Sequence, residues 1–454
     1  MKTKTFLTLL FLVLAVATSG AAELSPLENL GKKLFFDPSL SNPPGQSCAS
    51  CHDPSVGWTG PSSEINGAGA VEPGVVHTRF GNRKPPTAAY AGFNPPLHKP
   101  DSMPGGGMGG GMGGGMGGGM GGGMEDAFVG GLFFDGRATG WVLGDPLAEQ
   151  AMGPFLNPLE QDNPNAKHVC LNVLRSDYAV LFEEVWGTGS LDCVKDVDGS
   201  YELIARSVAA YERSSEVTAF SSKFDAFWKN SEGKMPPVPA INSMNWSRFK
   251  NRGLSDTELQ GLVVFNTKGK CSTCHLLRPM NGSRFPLFTD FRYHNLGVPK
   301  NPLNPFYGMP PKWNPDGTAW TDNGLGGFLA KTAGMTDSGG VSRNYKGFAA
   351  DNMGKQKTPT LRNVDKRPAQ EFVKAFGHNG YFKSLQEIIH FYNLRDALPI
   401  CDSPNPPKDA MGGATCFPPP EVAENINRVD LGDLKLTQPE GMVLIQFMKT
   451  LSDL

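Results

Sequence analysis

The chain has 454 residues, enough for two domains, and a formal net charge of −2 at pH 7 from 42 Lys and Arg against 44 Asp and Glu. This balance offers neither the basic field of a nucleic-acid-binding protein nor a polybasic membrane patch, so we expect neither partner. The 56 Gly and 38 Pro residues predict long irregular loops between the helices.

The first 22 residues have the pattern of a secretory signal peptide. Lys2 and Lys4 precede an apolar run from residue 6 to residue 17, and small residues follow up to Ala22. The run is shorter than the roughly 20 residues that span a bilayer, and the sequence has no comparable stretch elsewhere, so we expect no membrane span. The pattern predicts export to the periplasm or to the cell surface.

Two pentapeptides fit the C-x-x-C-H pattern of covalent c-type haem attachment. They are Cys-Ala-Ser-Cys-His at 48–52 and Cys-Ser-Thr-Cys-His at 271–275. The pattern predicts that two thiols bind each haem and that the adjacent imidazole ligates its iron. The predicted haem-binding residues are Cys48, Cys51, His52, Cys271, Cys274 and His275. Redox or zinc-binding C-x-x-C turns are the alternative interpretation, but chance placement would give only roughly 0.002 such pentapeptides per chain.

Four further cysteines remain after haem attachment. Their proximity in the sequence suggests the pairs Cys170–Cys193 and Cys401–Cys416, which would suit an oxidising compartment. Free buried thiols are the alternative, since connectivity does not follow from sequence alone.

Helical patterning precedes each haem motif, over residues 27–36 and 258–265. This repeat of helix, short loop and haem attachment is typical of cytochrome c domains. We therefore predict an all-α protein with two cytochrome c-like domains, at 23–235 and 241–454, each carrying one covalent haem c. A Pro-rich linker separates them at 234–240.

Two other helical patterns stand out. Residues 201–228 have apolar residues at helical intervals and no breaker, which predicts a helix through that range. Residues 439–454 predict a closing helix that packs on the second domain.

Residues 105–124 consist of five copies of Gly-Gly-Gly-Met. So much glycine makes ordering costly, and we predict a flexible loop that faces solvent. The regularly spaced thioethers leave open a second interpretation, in which the loop gathers Cu(I).

Six further motifs, in order along the chain, resemble the bacterial dihaem cytochrome c peroxidase and MauG superfamily. They are Lys-Leu-Phe-Phe-Asp-Pro at 33–38, Phe-Asp-Gly-Arg-Ala at 134–138, Gln-Ala-Met-Gly-Pro-Phe-Leu-Asn-Pro-Leu-Glu at 150–160, Thr-Pro-Thr-Leu-Arg-Asn at 358–363, Gly-His-Asn-Gly at 377–380 and His-Phe-Tyr at 390–392. The resemblance implies two cytochrome c-like domains whose haems face each other across the interface. It also implies a peroxide site at the first haem.

The resemblance assigns the peroxide pocket to three residues. Gln150, Pro154 and Glu160 match the family's Gln, Pro and distal Glu. A carboxylate near the iron can take a proton from one peroxide oxygen and deliver it to the other, so we expect Glu160 to be catalytic. Gln150 and Pro154 would shape the pocket.

The resemblance places Tyr392 where peroxidases carry a Met ligand and MauG a Tyr ligand to the second haem. An oxygen ligand opposite His275 would give that haem a low potential. Two alternatives stay open, namely that Tyr392 is a core residue on a helix beginning near Ser384, or that His390 is the ligand instead.

Several positions depart from the family pattern. Phe134 stands where the family has a Trp between the haems, and Trp141 is either its substitute or a packing residue. Gly269 stands where MauG has a surface Trp. Ala68 occupies the position of the distal His of reductively activated peroxidases, although His77 lies further along the chain.

The family also holds a calcium ion between its domains. Lys84 occupies the position of the family's Asn ligand, but Asn82 is close by, and Val373 and Ala375 would offer carbonyl oxygens. An oxygen cage suits calcium, so the resemblance implies a Ca²⁺ site at these residues.

The leading functional prediction is a secreted dihaem peroxidase that reduces hydrogen peroxide to water. The expected partners are hydrogen peroxide, a small donor protein such as a c-type cytochrome or a cupredoxin, and a second copy of the chain in a homodimer. One alternative is a MauG-like oxidase that modifies the side chains of a protein substrate. The other is a non-catalytic dihaem electron-transfer protein, in which both irons would be six-coordinate.

Overall fold

The computed structural model describes residues 23–100, 127–403, 405–409 and 413–454. The predicted signal peptide at 1–22 and the Gly/Met segment at 105–124 lie outside these ranges. Among the helices of the described ranges, none has the length and apolar character that a bilayer crossing requires.

Helices dominate the regular structure. Within the described ranges the α-helices are α1 (Pro26–Phe36), α2 (Ser63–Gly67), α3 (Pro146–Leu156), α4 (Ala166–Leu174), α5 (Ala179–Trp186), α6 (Val197–Arg213), α7 (Lys223–Asn230), α8 (Asp256–Asn266), α9 (Gly324–Leu329), α10 (Leu385–Leu394) and α11 (Gln438–Lys449). The strands β1 (Tyr293–His294) and β2 (Gln356–Lys357) form one antiparallel pair, with Tyr293 opposite Lys357. The structure is therefore rich in helix with little sheet, as the predicted fold class requires.

Helix α1 leads into the first haem motif and packs on α6. It begins with a capping box between Ser25 and Glu28, and it buries Leu34 against the core. Gly31 lies at the crossing, where an added Cβ would come within 1.9 Å of the Ser207 carbonyl oxygen. Only glycine allows the two backbones to approach so closely.

Helix α8 leads into the second motif in the same way and packs on α11. Its capping box joins Ser255 and Glu258. At its crossing, a Cβ on Gly261 would lie 2.1 Å from the carbonyl oxygen of Val443. The two predicted helices before the motifs and the predicted closing helix are thus confirmed, and the repeat extends to a glycine at each crossing.

The prediction of one helix through residues 201–228 is wrong. Helix α6 ends at Arg213 and α7 begins at Lys223. Between them Phe220 has a left-handed backbone with φ of 47°. Ser222 then caps α7, because its side chain accepts from the backbone of Asp225. Serine and threonine side chains that bond to nearby backbone compete with helix continuation, and this region is rich in both.

Two disulfides cross-link the chain. Cys170 is bonded to Cys193, and Cys401 is bonded to Cys416. Both pairings predicted from proximity in the sequence are confirmed. The thiols of the two haem motifs are free.

Two large apolar clusters make up most of the core. The first includes Phe35 and Phe182 together with the inner face of α6. The second includes Phe265 and Phe447, and it also contains Phe224 of α7. Helix α7 therefore packs with the C-terminal half of the chain, although it precedes the Pro-rich segment.

Arg362 joins these clusters. Its side chain is fully buried, and its guanidinium binds both carboxylate oxygens of Asp225 at 2.8 and 2.9 Å. It also donates to the Pro286 carbonyl at 2.8 Å. The rings of Phe220 and Tyr90 lie 4.5 and 4.9 Å from the guanidinium carbon. A buried bidentate pair of this kind fixes the relative position of the segments that supply it.

Replacing Arg362 with Met should destabilise the protein by about 3–5 kcal/mol, because the buried Asp225 carboxylate would lose its counter-charge and keep only its hydrogen bonds from Ser222. Denaturant unfolding of the haem-loaded protein measures this change. Arg428→Met is the control, since its ion pair with Asp396 at 2.9 Å lies on the surface and should contribute less than about 1 kcal/mol. Equal effects of the two substitutions would contradict the structural role of Arg362.

Candidate functional site

Both haem motifs open into one continuous cavity of about 430 Å³, whose lining is largely apolar. Predicted site residues from the two halves of the chain therefore converge. Those that line the cavity are Cys48, Cys51, His52, Asn82, Gln150, Pro154, Glu160, Cys271, Cys274, His275, Ala375 and Tyr392. Val373 is not among the lining residues, and its backbone N–H donates to Ser63 Oγ at 2.9 Å.

The first motif forms a tight turn that orients His52. The turn spans Cys48–Ser50, and the backbone N–H of His52 donates to the Cys48 carbonyl at 3.0 Å. Nδ1 of His52 lies 3.2 Å from the Trp58 carbonyl oxygen. A carbonyl can only accept, so Nδ1 carries the proton and Nε2 keeps its lone pair. Burial lowers the pKa of His52, which favours this neutral, metal-binding form.

The second motif repeats this geometry. Its turn spans Cys271–Thr273, and Nδ1 of His275 donates to the Phe288 carbonyl at 2.8 Å. Burial lowers the pKa of His275 as well. Two free thiols and one neutral imidazole at each end of a large apolar cavity fit the two covalent haems that the motifs predict.

Glu160 follows α3 and reaches the first end of the cavity. Its Oε1 accepts from Asn157 Nδ2 at 2.9 Å, and its backbone carbonyl accepts from the N–H of Val75 at 2.8 Å. Burial raises the pKa of Glu160, and the nearby Arg137 opposes this shift. Glu160 also raises the pKa of Cys48, which places the carboxyl close to the first motif. The group is a buried acid that can hold and release a proton there.

Gln150 and Pro154 lie on one face of α3. A separation of four residues on a helix puts their side chains one above the other, and both line the cavity. Their helix therefore forms a wall of the same compartment that Glu160 enters.

Sequence reasoning missed two more acids in this region. Glu72 and Glu212 both line the cavity, and burial raises their pKa values to about 7 and about 8. Within the described residues, Glu72 Oε1 and Glu212 Oε2 are buried without a hydrogen-bond partner. The burial of Glu212 could have been predicted from the sequence, because Glu212 follows Ile204 and Val208 at intervals of four on the buried face of α6. Glu72 lies in a loop and has no comparable signal.

Tyr392 lies on α10, whose N-cap is Ser384 as the helical pattern predicted. Burial raises the pKa of Tyr392, and Cys274 and Cys271 add to the shift, so its side chain is near the second motif. His390, the alternative ligand, does not line the cavity, and its Nε2 lies 2.8 Å from the Ala414 carbonyl oxygen. Tyr392 therefore faces the cavity, whereas His390 does not.

The positions that depart from the family pattern have distinct surroundings. Phe134 lines the cavity, with its ring centroid 6.3 Å from that of His378. Trp141 lies outside the lining, packs near Tyr345, and donates its indole N–H to the Leu97 carbonyl at 2.7 Å. Its contacts are those of a packing residue.

The loop that follows the first motif brings no histidine to the cavity beside His52. Ala68 and His77 are exposed, and neither lines the cavity. Within the described residues, the histidines of the lining are His52, His275, His294 and His378.

In the described part of the chain, one group of potential metal ligands lies beside the second motif. Cys274, Asp290 and His294 bring their ligand atoms within 4.8 Å of one another. The thiol of Cys274 belongs to the predicted haem attachment, so the group is not an independent metal site. Burial lowers the pKa of His294, but the hydrogen bond to Asp290 outweighs this effect and raises the pKa to about 10. The two side chains form an ion pair at 2.9 Å.

Comparison with known proteins gives relatives over nearly the whole chain. A model of the di-haem cytochrome c peroxidase family matches residues 25–233. The chain is 30% identical over 450 residues to the methylamine utilization protein MauG of Paracoccus denitrificans (strain Pd 1222), covering 97% of this chain and 94% of that protein. It is 24% identical to the cytochrome-c peroxidase IdrP1 of Pseudomonas sp. (strain SCT), covering 80% and 71%.

Solved structures give a consistent result. The diheme peroxidase BthA of Burkholderia thailandensis E264 matches with a TM-score of 0.64 at 26% identity, over 95% of this chain and 87% of that one. A tyrosine-to-methionine variant of BthA matches with the same TM-score. A MauG-like protein associated with microbial copper homeostasis matches at 18% identity with a TM-score of 0.54, and this likeness concerns the fold alone.

Replacing Tyr392 with Phe should change the ferric absorption spectrum of one haem, because it removes the only oxygen donor of that side chain. Tyr381→Phe is the matched control, since Tyr381 precedes the same helix but does not line the cavity. Optical spectra of the two oxidised variants make the comparison. A spectrum of the Tyr392 variant identical to that of the parent protein would contradict ligation by this residue.

Proposed function

The chain belongs to the di-haem cytochrome c peroxidase family, and on that premise we propose that it reduces hydrogen peroxide to two molecules of water, using two protons and two electrons from an external donor. It is an oxidoreductase of the peroxidase and MauG type. The observation that carries the proposal is the unequal lining of the two ends of one cavity. The buried acid Glu160 lies near Cys48 of the first motif, while Tyr392 lies near Cys274 and Cys271 of the second motif.

Two haem c groups attached at the two motifs would supply the peroxide-binding iron and the redox capacity of the reaction. His52 and His275 would hold them through Nε2, since Nδ1 of each is committed to a backbone carbonyl. The free thiols of Cys48 and Cys51, and of Cys271 and Cys274, would make the covalent attachments.

Glu160 is the proposed proton carrier. Asn157 anchors Oε1, which leaves Oε2 to accept a proton from one peroxide oxygen and to return it to the other. Gln150 and Pro154 bound the same space and would restrict the pose of the substrate. Glu72 and Glu212 are buried acids of the same region that can replace the protons consumed in the reaction.

Tyr392 is the proposed oxygen ligand at the second end. A tyrosinate donor stabilises the oxidised state of an iron, so this end would retain an oxidising equivalent rather than pass electrons at high potential. The route between the ends lacks the family's Trp, because Phe134 lines the cavity at that position.

A second candidate function is the oxidation of side chains on another protein. Two observations favour it, namely the identity of 30% with a MauG protein over almost the whole chain and the Tyr at position 392. Gly269, where the resemblance expects a surface Trp, weighs against a MauG-type route to a docked protein.

We propose that the protein acts after export, in the periplasm or at the cell surface. The pattern of residues 1–22 supports this compartment, and two disulfides suit it. A small c-type cytochrome or cupredoxin is the proposed electron donor.

Rapid mixing of the oxidised holoprotein with hydrogen peroxide tests the proposal. A peroxidase should change its haem absorbance at once and then oxidise an added reduced c-type cytochrome. An absorbance change that persists while the cytochrome stays reduced would favour the protein-oxidising function. If peroxide left the haem absorbance unchanged, both functions would be contradicted.

Glu160→Gln should slow the reaction with peroxide by about 10²–10⁴-fold, because Gln cannot accept the proton. In the parent protein the rate should rise with pH, since the proton-accepting carboxylate forms only above the pKa of Glu160, and burial raises that pKa. The midpoint should therefore lie above the usual carboxyl range, and the variant should lose this dependence. Glu184→Gln, on the exposed face of α5, is the control and should react like the parent.

A further inference from the structure

Lys374 has a buried ammonium group enclosed by carbonyl oxygens. Only 6% of the residue is exposed. Its Nζ lies 2.7 Å from the Asn363 carbonyl, 2.8 Å from the Val56 carbonyl and 3.0 Å from the Lys366 carbonyl. A neutral amine has two N–H donors, but three carbonyls need three donors. Burial, with the nearby Lys84, lowers the pKa of Lys374 well below its ordinary value. The three acceptors nevertheless match the protonated form, in which every N–H has an acceptor.

The three carbonyls come from both halves of the chain. Val56 follows the first haem motif by four residues, whereas Asn363 and Lys366 follow β2 in the C-terminal half. Gly57, with φ of 73°, brings the first segment close, since an added Cβ would lie 2.8 Å from Cβ of Asn363 and 3.2 Å from Nζ of Lys374. The ammonium group thus connects the segment beside the first motif to the segments around the second.

Lys374 adjoins, in the sequence, the calcium site that the resemblance implies, although its own partners are the carbonyls of Val56, Asn363 and Lys366. Lys374 lies between Val373 and Ala375, and Lys84 stands where the family has its Asn ligand. Lys84 is near enough to act electrostatically on Lys374, and its Nζ donates to the Pro85 carbonyl at 3.1 Å. Two lysines at the site repel a divalent cation. The residues present therefore do not fit calcium.

We propose that the ammonium group of Lys374 replaces calcium in this chain, and that it links the two haem-bearing halves through backbone carbonyls without a metal ion. The ammonium group would act on a different set of carbonyls but in a similar way, because it satisfies carbonyl oxygens of Val56, Asn363 and Lys366 that would otherwise be buried without a donor. The source of the cation differs. It is covalently part of the chain, so chelators cannot remove it.

Metal analysis and chelation of the haem-loaded protein test the proposal directly. Protein purified in calcium-containing buffer should hold far less than one calcium ion per chain. A chelator should change neither the ferric spectra of the two haems nor the unfolding temperature. About one calcium per chain, whose removal alters the haem spectra, would overturn the proposal.

Two sets of variants test the link itself. Lys374→Met should lower the unfolding temperature by at least about 5 °C, because three buried carbonyls lose their donor. Lys449→Met, at an exposed position near the end of α11, should leave it unchanged. An equal unfolding temperature for the two variants would contradict the link.

The double variant Lys84→Asn, Lys374→Ala should gain a calcium response. Removing both ammonium groups leaves the carbonyls of Val56, Asn363 and Lys366 beside a new amide oxygen, which suits a hard cation. Calcium should raise its unfolding temperature and leave the parent protein unaffected. Stabilisation of the parent by calcium would count against the proposal, and the metal analysis decides the question even if the double variant does not fold.

Discussion

The fold depends on keeping a large apolar cavity open between two packed cores. Protein interiors are close-packed, so a largely apolar cavity of about 430 Å³ is unfavourable to leave unfilled. A cofactor that fills the cavity is therefore part of the core of this protein. Arg362 and Lys374 are both buried, line the cavity and contact segments from the two halves of the chain.

The two ends of the cavity begin from the same local design and differ in what faces them. At each end a tight turn presents two thiols, and a backbone carbonyl fixes the tautomer of the histidine. The residues that face the two histidines across the cavity differ in type. Glu160 and the inner face of α3 line the first end, and Tyr392 from α10 lines the second. The same turn-and-histidine arrangement therefore occurs twice. It faces a carboxyl group that can move protons at the first motif, and a tyrosine hydroxyl that can ligate a metal at the second.

Features that depend on neighbouring residues could be predicted from the sequence, whereas contacts formed only by tertiary packing could not. The helices that precede the two motifs depend on local periodicity and on capping at Ser25 and Ser255, so they were predicted correctly. The break before Ser222 was missed because the apolar spacing continued across it. Glu72 becomes a cavity residue only through tertiary packing. The acceptors of Lys374 are backbone carbonyls, which no sequence pattern marks.

The central claim is that the two sites are unequal, one open beside Glu160 and one closed by Tyr392. Low-temperature electron paramagnetic resonance of the resting ferric holoprotein tests it most directly, since an iron with an open or weakly held position is high-spin. We expect one high-spin and one low-spin ferric signal of equal intensity. Two low-spin signals, with both irons fully ligated by strong donors, would contradict it.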